Sequence, residues 1–137
     1  MPEAPKIFTL EEANEQLGSV TELLYQLQGV HQSILKTNQE LDEKVGKISA
    51  GNGYPIQELR EQVQELTEHQ LHLVEAFQSA FQQLEDLGCV LKDLAQGLVD
   101  FYAMREGELV FLCWRLGEER IRFWHGVDEG FSGRQPL

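Results

Sequence analysis

At 137 residues, 42% of them hydrophobic, the chain is one domain's worth with enough apolar material for a core, which excludes wholesale disorder. Its 23 acidic against 11 basic side chains leave a formal charge of −12, the wrong sign for a nucleic-acid footprint or an anchor on an anionic membrane. No apolar run nears the roughly 20 residues of a membrane span, the opening stretch MPEAPKIFTL lacks a signal-peptide core, and two cysteines are too few for a disulfide framework, so a reducing cytoplasm is the expected setting.

Charge divides the chain. Residues 1–88 hold 15 acidic and 5 basic side chains, a net of −10, and are rich in Gln, Glu and Leu. Residues 89–137 hold 8 and 6, a net of −2, and carry both tryptophans and both cysteines. No Pro/Ser-rich linker separates the parts, so 1–137 is read as a single domain.

The first part predicts a helix over 8–50. Thr9 followed three residues later by Glu12 is a capping box, with Phe8 placed as a hydrophobic staple. From Leu10 the residues Ala13, Leu17, Val20, Leu24, Leu27, His31, Ile34, Asn38, Leu41, Val45 and Ile48 recur at steps of 3 and 4, a coiled-coil-like seam. Gly51-Asn52-Gly53 breaks it, Pro55 suits a first turn, and a second helix over 55–88 repeats the pattern from Ile56 to Leu87. A short Gly-rich turn between long helices implies an antiparallel hairpin. His31, Asn38 and Gln70 make the seam polar near mid-length. There the apolar stripe widens to Leu23, Val30, Leu35, Val74 and Phe81. Either the strand-bearing part covers that stripe or a second hairpin does; the second option, a homodimeric four-helix bundle, is the reading taken.

Residues 89–137 form the strand-bearing part and its tail. Period-two alternation over 98–125, with Glu106-Gly107 and Gly117-Glu118 as tight turns, predicts a three-stranded antiparallel meander. Taken as two-residue hairpins, the turns set Asp100 opposite Cys113, Cys113 opposite Arg122, Phe101 opposite Leu112 and Leu112 opposite Phe123. One face then collects Val99, Phe101, Ala103, Val110, Leu112, Trp114, Ile121, Phe123 and, at its margin, His125. The other carries an aromatic row Tyr102–Phe111–Trp124 beside Asp100–Cys113–Arg122. Arg115 and Arg120 stand across from each other, a like-charge pair that asks for an acidic group or an anion between them.

Enzyme signatures are absent. There is no phosphate loop, no Gly-x-Ser-x-Gly and no Cys-x-x-Cys. His125 with Asp128 is metal-capable but short of the three or four ligands zinc needs. Under the expected register Cys113 and His125 lie on opposite faces, so no Cys–His nucleophile pair forms. His69 and His72, among Glu65, Glu68 and Glu75, belong to a solvated helical surface.

The motifs Phe8-Thr9-Leu10-Glu11-Glu12-Ala13, Leu91-Lys92-Asp93, Gly97-Leu98-Val99-Asp100-Phe101, Leu112-Cys113-Trp114, Gly117-Glu118, Trp124-His125 and Gly130-Phe131-Ser132-Gly133-Arg134 run in this order along nearly the whole chain. Together they resemble a prokaryotic family, domain of unknown function 2203. Tyr102 stands where a Pro often follows the Asp-Phe pair and Ser132 where Ala is common; neither departure removes a reactive group. The resemblance implies no activity. It does imply that Lys92, Asp93, Asp100, Trp114, Glu118, His125 and Arg134 serve a shared site or a shared folding requirement.

The expected architecture is therefore α+β, a long antiparallel helical hairpin followed by a small antiparallel meander. The expected function is that of a non-catalytic cytoplasmic interaction or scaffold protein, a homodimer through its helices, with no cofactor. Its recognition face for a protein or an anionic small molecule would be Asp100, Tyr102, Phe111, Cys113, Arg115, Arg120, Arg122 and Trp124. The alternative is a small-ligand- or metal-binding protein or an enzyme using Asp100, Glu118 and His125, with Asp128 as a further candidate ligand.

Overall fold

Thr9 starts the first helix as its chemistry requires. Its hydroxyl accepts from the Glu12 N–H at 3.1 Å, and the Glu12 carboxylate accepts from the Thr9 N–H at 2.9 Å, so two otherwise orphaned donors are satisfied. In the computed structural model, which describes residues 4–51 and 53–137, helix α1 (Leu10–Glu15) is followed by α2 (Leu17–Ala50) and α3 (Ile56–Asp86). The continuous helix expected over 8–50 is thus broken once, at Gln16, whose N–H bonds to the Ala13 carbonyl three residues back at 3.1 Å. The same turn is tied elsewhere: Asn14 Oδ1 accepts from the Ile121 N–H at 2.8 Å. Gly51 and Gly53 adopt φ of +63° and +77° between α2 and α3, while Asn52 lies outside the described residues. Helix α3 ends two residues before the expected Gly88, in a turn closed by the Gly88 N–H on the Glu85 carbonyl at 2.8 Å.

The long helices pack together antiparallel, and the chain divides into two compact units. Leu27–Ala80 forms one. It buries Leu27, Leu59 and Ala80, and its polar seam is partly as expected: Gln70 Nε2 donates to Asn38 Oδ1 at 2.6 Å and to the Ile34 carbonyl at 3.0 Å. His31 is exposed instead, and the buried polar residue is Thr37. Among the described residues no helix is long and apolar enough to cross a membrane.

The other unit, residues up to Gln26 and from Phe81 onward, holds the sheet. Five antiparallel strands, not three, run in chain order: β1 (Val90–Asp93), β2 (Leu98–Arg105), β3 (Glu108–Arg115), β4 (Phe123–Gly126) and β5 (Gln135–Pro136). The two edge strands are short and carry little period-two signal. Between β2 and β3 the expected hairpin forms, because Glu106 and Gly107 take φ of +51° and +82°, the pair of left-handed residues that a twist-matched two-residue turn needs. Its register sets Asp100 opposite Cys113 and Phe101 opposite Leu112, as expected.

The second expected hairpin does not form. Leu116-Gly117 makes the turn, with Gly117 at φ +104° and the Glu118 N–H on the Arg115 carbonyl at 3.0 Å, but the chain then leaves the sheet until Phe123. Leu112 therefore faces Trp124 and Cys113 faces Phe123, one residue out of the expected register. A slip of one residue exchanges faces along the whole strand. Phe123 and His125 leave the core face and Trp124 joins it. Arg115 pairs with Leu98, and Arg120 lies outside the strands, so the like-charge pair does not arise.

The core face itself is as read: Val99, Phe101, Ala103, Val110, Leu112 and Trp114 are buried, and Phe8 meets Phe101 edge-on at 5.1 Å. Each large side chain so buried contributes roughly 1.5–3 kcal/mol. Cys89 belongs to the same unit. Its thiol donates to the Leu84 carbonyl at 3.4 Å, and burial pushes it from 9.0 to about 12. A raised thiol favours folding below its unfolded value and loses that contribution as pH rises from 9.0 toward 12. Wild type should thus lose roughly 1 kcal/mol more than Cys89→Ala between pH 8 and pH 10. Urea melts of both proteins at the two pH values check this.

Candidate functional site

The register of β4 completes a site of which the sequence disclosed only the Asp100–Cys113 half. Asp100 on β2 and Cys113 on β3 are direct partners, and His125, two residues beyond the Phe123 that faces Cys113, shares their side of the sheet. All three side chains are nearly sealed from solvent, at 2%, 2% and 1% exposure. One ligand-capable atom from each lies within 4.8 Å of the other two, and among the described residues no other His, Cys, Asp or Glu joins such a group.

Hydrogen bonding orients the group. His125 Nδ1 is 2.8 Å from the Gly126 carbonyl, which can only accept, so Nδ1 carries a proton and Nε2 is turned toward Asp100 Oδ2 at 3.0 Å. A proton must lie between those two atoms, on one or the other. Burial raises the Asp100 carboxyl above its usual range, opposed by His125 and Lys92. The Cys113 thiol is pushed up to about 12, first by burial and then by the neighbouring Asp100, to which it donates. The thiol proton therefore goes to a carboxyl and not to an imidazole, and Nε2 is already engaged. The triad is not arranged as an activated cysteine nucleophile.

A cavity of about 110 Å³ opens onto the group, walled further by Lys92, Leu98, Glu129, Gly130 and Phe131. Lys92 sits at a bulge of β1, where the pairing with β2 slips, and its Nζ rests 4.6 Å above the Phe111 ring. The C-terminal segment supplies the roof: a 3₁₀ turn at Phe131–Gly133 is followed by Arg134, whose guanidinium grips both Glu118 oxygens at 2.9 Å. The guanidinium stacks on Phe123 at 3.9 Å and on Phe131 at 4.5 Å. Glu118 also accepts from the Arg115 N–H at 2.7 Å, and its carbonyl accepts from the Trp114 indole at 3.0 Å.

The proposed recognition face is largely dismantled by this geometry. Asp100, Tyr102, Phe111 and Cys113 stay on one side, but Phe111 is buried and the aromatic row continues to His125, with centroids 4.5 and 5.4 Å apart. Trp124 lies on the opposite face beneath the Arg105 guanidinium at 4.8 Å. Arg115 approaches the Phe131 ring at 6.0 Å, while Arg120 and Arg122 line a separate open groove with Leu10 and Asn14. Of the metal-capable trio, His125 is in the buried group; Glu118 is held by Arg134, and Asp128 is exposed outside it. Lys92, Glu129, Phe131 and Arg134 were not read as site residues from spacing. For Lys92 and Arg134 the only signal was the shared motif pattern, five members of which (Lys92, Asp100, Glu118, His125 and Arg134) line the cavity or brace its roof.

A family described as Uncharacterized conserved protein (DUF2203) matches residues 6–137. No curated protein and no solved structure matches the chain.

Proposed function

Because the chain belongs to the DUF2203 family, whose description assigns no activity, its function has to be argued from the site, and we propose that the C-terminal unit is a ligand-binding module holding a small occupant on Asp100, Cys113 and His125 beneath the Phe131–Arg134 roof. One observation carries this reading: three ionisable side chains converge, almost unexposed, on a small, partly open cavity. Burying such groups costs several kcal/mol apiece unless they are well paired, and apolar residues of the same size would serve folding at least as well. Groups of this kind cluster at functional sites. The expected exposed scaffold face finds no comparable support.

The experiment is a comparison of intact masses. Under native conditions the full-length protein should exceed its denatured mass by one occupant, and Asp100→Asn should lose the difference. A bare native mass from protein that also takes up no metal or small ligand on titration would defeat the reading.

We further propose a homodimer through the helices, supported by Leu35, Val45 and Leu71, which are 49%, 48% and 57% exposed on the long helices. Light scattering at micromolar concentration should return about twice the chain mass of 15.7 kDa; a clean monomer ends it. A reducing cytoplasm is likewise proposed, supported by two free thiols.

A further inference from the structure

We propose that the occupant is one divalent transition-metal ion of the zinc class, held by an Asp100 carboxylate oxygen, the Cys113 sulfur and His125 Nε2, with a fourth position open to the cavity. This inference rests on the ligand-binding reading and names what is bound. The donors are in place. Asp100 Oδ2 and His125 Nε2 stand 3.0 Å apart, and all three donor atoms fall within 4.8 Å. Donors around tetrahedral zinc lie roughly 3.3–3.8 Å from one another, so closure asks for a shift of about 1 Å.

The imidazole is prepared for the role. A metal-ligating histidine nearly always donates its second ring N–H to a carbonyl or carboxylate, and His125 does so to Gly126. Mixed sulfur, nitrogen and oxygen donors select borderline ions and reject magnesium and calcium, which demand oxygen shells.

Charge also balances. The ion displaces two protons, the one between His125 and Asp100 and the one on the Cys113 thiol, and both pass to water. A neutral group becomes a neutral complex, and no electron moves. Among the described residues no fourth His, Cys, Asp or Glu joins the group, whereas a cavity of about 110 Å³ adjoins it. A water molecule's share of liquid volume is about 30 Å³, so there is room for a water or a small ligand. Three protein ligands and an open position mark a reactive site, since structural zinc sites are closed by four.

The test titrates chelator-treated, full-length protein with cobalt(II). One equivalent should bind with the intense visible bands of a four-coordinate ion and a near-ultraviolet sulfur-to-cobalt band. That band should vanish in Cys113→Ser and persist in Cys89→Ala, and Asp100→Asn should weaken uptake at least tenfold. Azide should shift the visible bands through the open position; unmoved bands overturn that position. Absence of the sulfur band, or its survival in Cys113→Ser, overturns the metal. Should Cys113→Ser fail to fold, X-ray absorption of the zinc-loaded wild type decides instead: one sulfur in the shell is expected, and a shell without sulfur contradicts the proposal. An organic adduct in the native mass with no cobalt uptake after its removal overturns the metal and leaves the ligand-binding reading standing. A bare native mass with no cobalt uptake ends both.

Discussion

Gly97→Ala is expected to destabilise the protein by roughly 2–4 kcal/mol, a large share of the 5–15 kcal/mol typical of a domain. Two costs combine. The position sits at φ +68°, where an L side chain is strained by about 1 kcal/mol, and an added Cβ would collide with the Leu116 Cβ. The backbone cannot easily withdraw, since the Gly97 carbonyl accepts from the Leu116 N–H at 2.9 Å and its own N–H bonds to Leu94 at 3.2 Å. Gly117→Ala separates the two costs. Its φ is +104°, but nothing lies within 4 Å of the added atom, so only the backbone term of about 1 kcal/mol should appear. Urea melts followed by tryptophan fluorescence measure both. Equal losses at the two sites would mean that Leu116 gives way and that the contact is not rigid.

Arg134→Ala should cost roughly 2–3 kcal/mol, less than the 3–5 kcal/mol of a fully buried pair because the side chains retain 13% and 27% exposure. The variant removes the one guanidinium nitrogen that donates to both Glu118 oxygens and the stacking on Phe123 and Phe131 together. Arg134→Lys should recover less than half of the loss, because an ammonium keeps the charge and can reach both carboxylate oxygens but has no plane to stack on Phe123 and Phe131. Amide hydrogen exchange should localise the effect, with faster exchange from Gly126 to the C-terminal strand and little change in α2 and α3. If the melts are unchanged, the roof is held by something other than this pair.

What was legible in the sequence follows from how local each determinant is. The helices were readable because a capping box and a 3-and-4 apolar spacing act within a few residues of one another. So was the first hairpin, since Glu106-Gly107 sets its own twist and a period-two pattern sets the faces. The Gln16 break escaped because Asn14 answers to Ile121, more than a hundred residues away. The second hairpin escaped for the same kind of reason. Gly117-Glu118 looks like a two-residue turn, yet Glu118 is drawn aside by Arg134, by the Arg115 amide and by the Trp114 indole. That detour inserts the residue that turns His125 toward Asp100. Half the site, Asp100 beside Cys113, was therefore visible in the first register. The histidine was assigned to the wrong side by the second.

The ligand-binding reading and the metal both depend on which residue of β4 stands opposite Cys113. Cross-strand proton contacts in the nuclear Overhauser spectrum of the full-length protein decide it most directly. They should link Cys113 with Phe123 and Leu112 with Trp124, and place the His125 ring against Phe111. Contacts pairing Cys113 with Arg122 and Leu112 with Phe123 would put His125 on the far face and dissolve the site.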